Sequence, residues 1–345
     1  MTRGIESRYV DTRRRRTHVR AVGEPSGETV VFVHGNLSES TVWCEQLRLL
    51  PPHLGGVAAD LRGFGDGDAP PIDATRGLGD HRDDLVALLD ALGLDRVHLV
   101  GHSMGGGVVA DLATHHPERV ATLTLVTPLA PHGFGGTDLD GRPYAPDLAG
   151  TGGGAVNPRF VERILLGDEG DEDPAAPRNV VRALYFPGQT VDEDVHVAAM
   201  LRTRIGDDHY PGDSVPSPHW PGFAPGTRGV LNSMSAKYFS WARLAETASH
   251  VPVLWVRGDL DVIVSDTSMS DVGQLGRVGA VPGWPGSDVF DAQPMIAQTR
   301  RVLDAHGDYR EVVMSGTGHF PYAQRPTEFA SLVSEHVARF YADHR

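Results

Sequence analysis

The stretch Val97-His98-Leu99-Val100-Gly101-His102-Ser103-Met104-Gly105-Gly106-Gly107-Val108 decides how this chain folds. Val97–Val100 is a short apolar run and reads as a buried strand. Val108–His115 reads as a helix. Between them, Gly101-His102-Ser103-Met104-Gly105 matches G-x-S-x-G, and a strand before it with a helix after it is the context that motif requires. Ser103 then sits on a strained turn, where small neighbours relieve crowding. The helix that follows aims backbone N–H groups and positive dipole at charge developing on a group attached to the serine.

Outward from this turn the chain alternates strands and helices. Upstream, Ile5–Val10 and Thr17–Val22 flank Asp11–Arg16 and predict a hairpin, with Arg13–Arg16 as a solvated turn. Thr29–Val33 is a β-branched buried strand, Thr41–Leu50 has helical spacing and stops at Pro51-Pro52, and Gly56–Ala59 is a short strand. Asp83–Leu92 places Leu85, Leu88, Leu89 and Leu92 on one helical face and ends at Gly93. Downstream, Val120–Val126, Val251–Val256 and Arg310–Met314 read as strands and Thr327–Tyr341 as an amphipathic helix. The pattern predicts an α/β fold with a mostly parallel central sheet flanked by helices.

The alternation stops at Val126 and resumes at Val251. The expected organisation is a core of residues 1–127 and 250–345 carrying an inserted, mainly helical lid, residues 128–249. That insertion has helical spacing at Pro158–Leu166, Val191–Arg204 and Arg228–Leu244 but no convincing strand. It holds Phe134, Tyr144, Tyr185, Phe186, Trp220, Phe223, Tyr238, Phe239 and Trp241, which either line a pocket or form the lid's own core. Beyond the second half of the core, Val281–Gly286 is a long Pro/Gly excursion, read as a rigid surface loop or a wall of the pocket.

A serine hydroxyl needs a base before it can attack. The chain has 17 histidines, and position selects His319, in the loop between the last strand and the last helix. The carboxylate that orients such a base falls between serine and histidine in chain order. Asp261 stands at the end of Val251–Val256, in Arg257-Gly258-Asp259-Leu260-Asp261. Asp259 reads as a turn residue, and Asp266 is a rival further from the strand end. One oxyanion donor is the N–H of Met104, the residue after the serine. The other is expected from His34-Gly35-Asn36-Leu37, after Thr29–Val33. His34, Leu37, His102, Trp220, Tyr238 and Trp241 are candidate pocket residues.

In the order His34-Gly35-Asn36, Asp60–Gly65, Gly101–Gly106, Gly258–Asp261 and Gly318-His319, these blocks resemble the lid-bearing α/β-hydrolase superfamily. The likeness covers nearly all of Ile5–Tyr341 outside the insertion. It implies a Ser103–His319–Asp261 triad and a second oxyanion N–H from Asn36, with Leu37 as the fallback. Ser103–Gly107 is similar to the nucleophile block of cofactor-free haloperoxidases and related esterases. His34-Gly35-Asn36 resembles haloalkane dehalogenases, but those enzymes and epoxide hydrolases carry aspartate where this chain has Ser103. Asp60–Gly65 reads as a structural turn.

The expected function is hydrolysis of a carboxylic ester, lactone or thioester of a small apolar molecule through an acyl-enzyme. The alternatives are carbon–carbon hydrolysis, perhydrolysis, acyl transfer or cyclisation by the same residues, or a small-molecule receptor that keeps the fold. A formal net charge of -14 argues against nucleic acid or an anionic membrane as partner. No apolar run reaches the roughly 20 residues that span a bilayer, and the polar start Met1–Tyr9 lacks a secretory h-region, so a cytoplasmic location is expected. Cys44 is the only cysteine, which excludes an internal disulfide and a cysteine-built metal site. No metal or organic cofactor is expected, because neither H-E-x-x-H nor G-x-G-x-x-G at a helix start occurs. Oligomeric state is not legible.

Overall fold

A computed structural model describes residues 4–24, 28–187 and 191–343. Eight strands form one sheet: β1 (Glu6–Asp11), β2 (Arg16–Val22), β3 (Thr29–Val33), β4 (Gly55–Ala59), β5 (Val97–His102), β6 (Val120–Val126), β7 (Val253–Gly258) and β8 (Tyr309–Met314). Their spatial order is β1-β2-β4-β3-β5-β6-β7-β8. β1 and β2 pair antiparallel, as does β2 with β4, and every other neighbour is parallel. β3, β5 and β6 are buried along their whole length. Helices cover both faces, which is why these strands read as unbroken apolar runs instead of alternating ones. Among the described residues, no helix is long and apolar enough to cross a membrane.

The Arg13–Arg16 turn differs from its expected solvated state. Arg13 and Arg16 are exposed, but Arg15 is only 6% exposed. Arg14 and Arg15 both reach Asp84 of helix Gly79–Ala91, at 2.6 Å and 3.2 Å, and Arg62 reaches the same carboxylate at 2.8 Å. An acidic helix packed beside the hairpin has drawn the arginines out of water. Asp60, in the glycine-rich turn after β4, accepts from His18 Nδ1 and from the N–H groups of Ser40 and Asp66. Those bonds make it a structural knot. Among the described residues, His18, Asp60 and Asp66 are also the group with metal-like spacing, and these hydrogen bonds account for it.

The chain leaves the sheet at the carboxyl end of β6 and returns at β7. The segment between carries short helices, among them Pro158–Leu165 and Glu193–Leu201. The expected helix Arg228–Leu244 forms only over Val230–Ser233. Two small ribbons that the sequence reading lacks also occur, pairing Ile205–Gly206 with Tyr210–Pro211 and Ser214–Pro216 with Phe223–Pro225. Strands of two or three residues carry too little periodicity to be seen in sequence.

Candidate active site

Ser103 sits between β5 and helix Met104–His115 with φ 54° and ψ -120°. A non-glycine residue holds that conformation only where its surroundings impose it. Here the Ser103 N–H donates to Val126 O at 2.9 Å, and its carbonyl accepts from Leu129 N at 2.9 Å and Gly107 N at 3.2 Å. Space requires the flanking glycines. A Cβ at Gly35 would lie 2.9 Å from Ser103 Cβ, and one at Gly105 would run into the carbonyls of Val33 and His34. The parallel sheet thus delivers the hydroxyl to its carboxyl edge, where such folds bind ligands.

His319 and Asp261 meet there although they lie 58 positions apart. His319 Nδ1 is 2.8 Å from Asp261 Oδ2, and each side chain is 3% exposed. The other carboxylate oxygen accepts from the N–H groups of Ile263 and Val264, at 2.8 Å and 3.1 Å, which locks its rotation. Asp266 is spent elsewhere, accepting from Ile296 N at 2.7 Å at the start of helix Met295–His306. Asp259 holds Ser315 and Gly316 in the turn after β8. Among the described residues, neither Ser103 Oγ nor His319 Nε2 is hydrogen-bonded, and both residues line one cavity. Such serine–histidine links are commonly loose without ligand.

Asn36, Leu37 and Met104 line the same cavity. Leu37 has φ 54°, a second strained non-glycine residue beside the serine. That kink turns the loop after β3 towards Ser103, and among the described residues the N–H groups of Asn36 and Met104 have no hydrogen-bond acceptor. Burial disfavours the charged form of three other imidazoles nearby. His102 is pushed well below the ordinary histidine range, His196 falls to about 4, and His34 is lowered by the same cause.

The cavity is about 370 Å³ and mainly apolar. Its walls come from both the sheet ends and the segment between β6 and β7, which contributes Gly150, Val180 and Leu231 among others. Of the candidate pocket residues, Leu37 and His102 line it and the others do not. His34 is turned away, with Nδ1 on Gly35 O and Nε2 accepting from Leu61 N. Tyr238 donates its hydroxyl to Gly226 O. Trp220 donates Nε1–H to Pro282 O at 2.9 Å and packs on Phe290, so it clasps the Val281–Gly286 excursion at the surface. Trp241 is fully buried with Nε1–H on Leu129 O at 2.7 Å, which makes it a core residue and not a pocket residue. Trp241→Ala is therefore expected to cost about 3–5 kcal/mol of stability, read from denaturant unfolding. Among the aromatics of the insertion, Phe134, Phe160, Tyr185 and Tyr210 do line the cavity.

One charged wall residue carries no signal in the sequence. Asp271 is 1% exposed and accepts from Gly273 N at 3.0 Å and Gln293 N at 2.6 Å. Burial raises its pKa from 3.8 to about 6, against the pull of those two N–H groups. The folded state therefore binds the proton more tightly than the unfolded one. The stabilisation is complete below pH 3.8 and disappears as pH rises through about 6, a change of roughly 3 kcal/mol for this shift. Asp271→Asn should gain stability relative to the parent between pH 5 and pH 8. Parallel unfolding curves at the two pH values, with a constant difference, contradict this.

Residues 28–166 match the family model for the alpha/beta hydrolase fold. An epoxide hydrolase 2 of Siraitia grosvenorii is 26% identical over 97% of this chain and 99% of its own length. A 2-hydroxy-6-oxo-6-phenylhexa-2,4-dienoate hydrolase of Burkholderia cepacia is 34% identical, but over only 33% of this chain and 40% of that protein. Among solved structures, carboxylesterase CesB of Bacillus subtilis superposes with a TM-score of 0.62 at 16% identity, covering 97% of this chain and 92% of that one.

Proposed function

The chain belongs to the α/β-hydrolase superfamily, and from that premise we propose that it is a serine hydrolase cleaving a carboxylic ester, lactone or thioester of a small, largely apolar molecule. The observation that carries this reading is the buried His319–Asp261 pair opening into the same cavity as a strained Ser103. Ser103 Oγ attacks the carbonyl while His319 Nε2 takes its proton, and the N–H groups of Asn36 and Met104 bind the oxyanion. The tetrahedral intermediate expels the alcohol or thiol, which leaves with the proton from His319. Water, deprotonated by His319, then attacks the acyl-serine, and Ser103 recovers its proton as the acid departs. The apolar walls select the acyl or alcohol group and exclude bulk water, which strengthens the oxyanion contacts.

Ser103 also bears on epoxide opening, the activity in the name of one relative matched over nearly its full length. An aspartate that opens an epoxide forms an ester, which water can cleave. A serine would form an ether, with no carbonyl for the oxyanion donors to stabilise. Ester-type hydrolysis therefore suits the residues present. The test is intact-protein mass spectrometry during turnover of an ester library. A mass increase equal to the acyl group, mapped to Ser103, is expected. Turnover with no adduct, or an adduct at another residue, counts against the mechanism.

Selectivity should follow the residues that line the cavity. Leu231→Ala or Phe134→Ala is expected to shift kcat/KM towards longer acyl chains by about tenfold, at about 1–3 kcal/mol per pocket methylene group. Trp220→Ala, away from the cavity, should leave the chain-length profile unchanged. Equal profiles for all three variants would remove the insertion from substrate choice.

A further inference from the structure

The main chain of His319 is held from two sides. Its carbonyl accepts from His102 Nε2 at 2.9 Å and from the Thr127 hydroxyl at 3.1 Å, both at the ends of central strands. Its N–H donates to the carbonyl of Tyr185 at 3.2 Å, and Tyr185 belongs to the insertion. The preceding residue shows how closely the two segments pack. A Cβ at Gly318 would lie 2.6 Å from Pro187 Cδ and 2.7 Å from Tyr185 O. Gly318 is not in the left-handed region, so space requires the glycine and backbone conformation does not. The Phe320 ring adds contacts in the same place, with its centroid 4.3 Å from both Tyr185 and His102. Tyr185 itself ends a π-helical turn, Val181–Tyr185, a wide turn that recurs at functional sites.

We propose that the Tyr185–Pro187 segment of the insertion positions His319 over Ser103. Asp261 sets the rotation of the imidazole from one side. It leaves the height of the loop above the serine to the main-chain bonds, and one of those bonds comes from Tyr185. Tyr185 is thus a positioning residue through its carbonyl, and its ring lines the cavity, so bound substrate and base share one support. The inference rests on the serine-hydrolase reading. A misplacement of about 1 Å in such a constellation costs on the order of 10²-fold in rate. Gly318→Ala imposes a shift approaching that size, because the Pro187 contact must open from 2.6 Å to the 3.4 Å of ordinary van der Waals contact.

The test uses the full chain, with p-nitrophenyl butyrate as substrate and a fluorophosphonate as a probe of serine activation. Gly318→Ala should lower both kcat and the labelling rate by about ten- to a hundredfold, with KM nearly unchanged and the fold retained. Adding Pro187→Ala, which removes the clashing Cδ but leaves the Tyr185 carbonyl against the new Cβ, should restore part of the loss. Wild-type kcat in Gly318→Ala overturns the proposal. So does a loss that Pro187→Ala leaves in place, or one that only tracks thermal unfolding. If Gly318→Ala does not fold, Pro187→Gly decides instead, because it loosens the segment that carries the Tyr185 carbonyl: a lowered kcat at unchanged KM supports the proposal and wild-type kcat overturns it. Ser103→Ala separates the two levels. Turnover in that variant defeats the hydrolase reading itself, whereas an inert Ser103→Ala beside an indifferent Gly318→Ala defeats only the positioning role.

Discussion

Ser103→Ala is expected to remove turnover by a factor on the order of 10⁶, the scale of nucleophile loss in serine proteases, while the protein stays folded. The reasons lie in the bonds that Ser103 makes. Its N–H and carbonyl carry the contacts to Val126, Gly107 and Leu129, and alanine keeps all three. Among the described residues its hydroxyl makes no hydrogen bond, so removing it orphans no partner. Alanine also bears a Cβ like serine's, so the positive φ of 54° costs both alike. Stability should change by less than about 1 kcal/mol. A fluorophosphonate should label the parent at Ser103 and leave the variant unlabelled. Appreciable activity in the alanine protein, or labelling elsewhere, would move the nucleophile to another residue.

Asp261→Asn should lower kcat by roughly 10⁴-fold, as the corresponding change does in a serine protease. The two oxygens of Asp261 face different partners. Oδ1 accepts from Ile263 and Val264, and Oδ2 faces His319 Nδ1. Asparagine can keep the first set only with its carbonyl, which leaves its NH₂ group against His319. The imidazole must then accept at Nδ1 and carry its proton on Nε2, where it cannot take the proton of Ser103. The charge that stabilises the imidazolium is lost as well. Asp266→Asn keeps an acceptor oxygen for the Ile296 N–H at the start of helix Met295–His306 and should cost little stability, with kcat nearly unchanged. Asp259→Asn, in its exposed turn, should be milder still. If Asp266→Asn proves the crippling substitution, Asp266 is the orienting acid instead.

Several expectations depended on neighbours that sequence does not reveal. The placement of Ser103, Asp261 and His319 after strand ends was legible because each follows a strand whose apolar run is visible by itself. The arginine turn could not be read correctly, because its partners Asp80 and Asp84 lie some 70 residues away on a separate helix. Trp220 and Trp241 are as aromatic as Tyr185 and Tyr210, yet only the tyrosines face the cavity. Composition within the insertion cannot rank them, since the choice depends on how its irregular chain is laid over the sheet. Asp271 looks like an ordinary loop aspartate until packing strips it of water.

By itself, then, the sequence determined the parallel sheet, the strained serine turn and the chain order of serine, aspartate and histidine. Those features arise from local periodicity and from glycines needed within a few residues of one another. Only the tertiary structure decided which walls the cavity has, that Tyr185 and Pro187 bear on Gly318 and His319, and which charges are buried. Each of those outcomes is a contact between segments that are remote along the chain, and burial is a property of the assembled surfaces that no single segment carries.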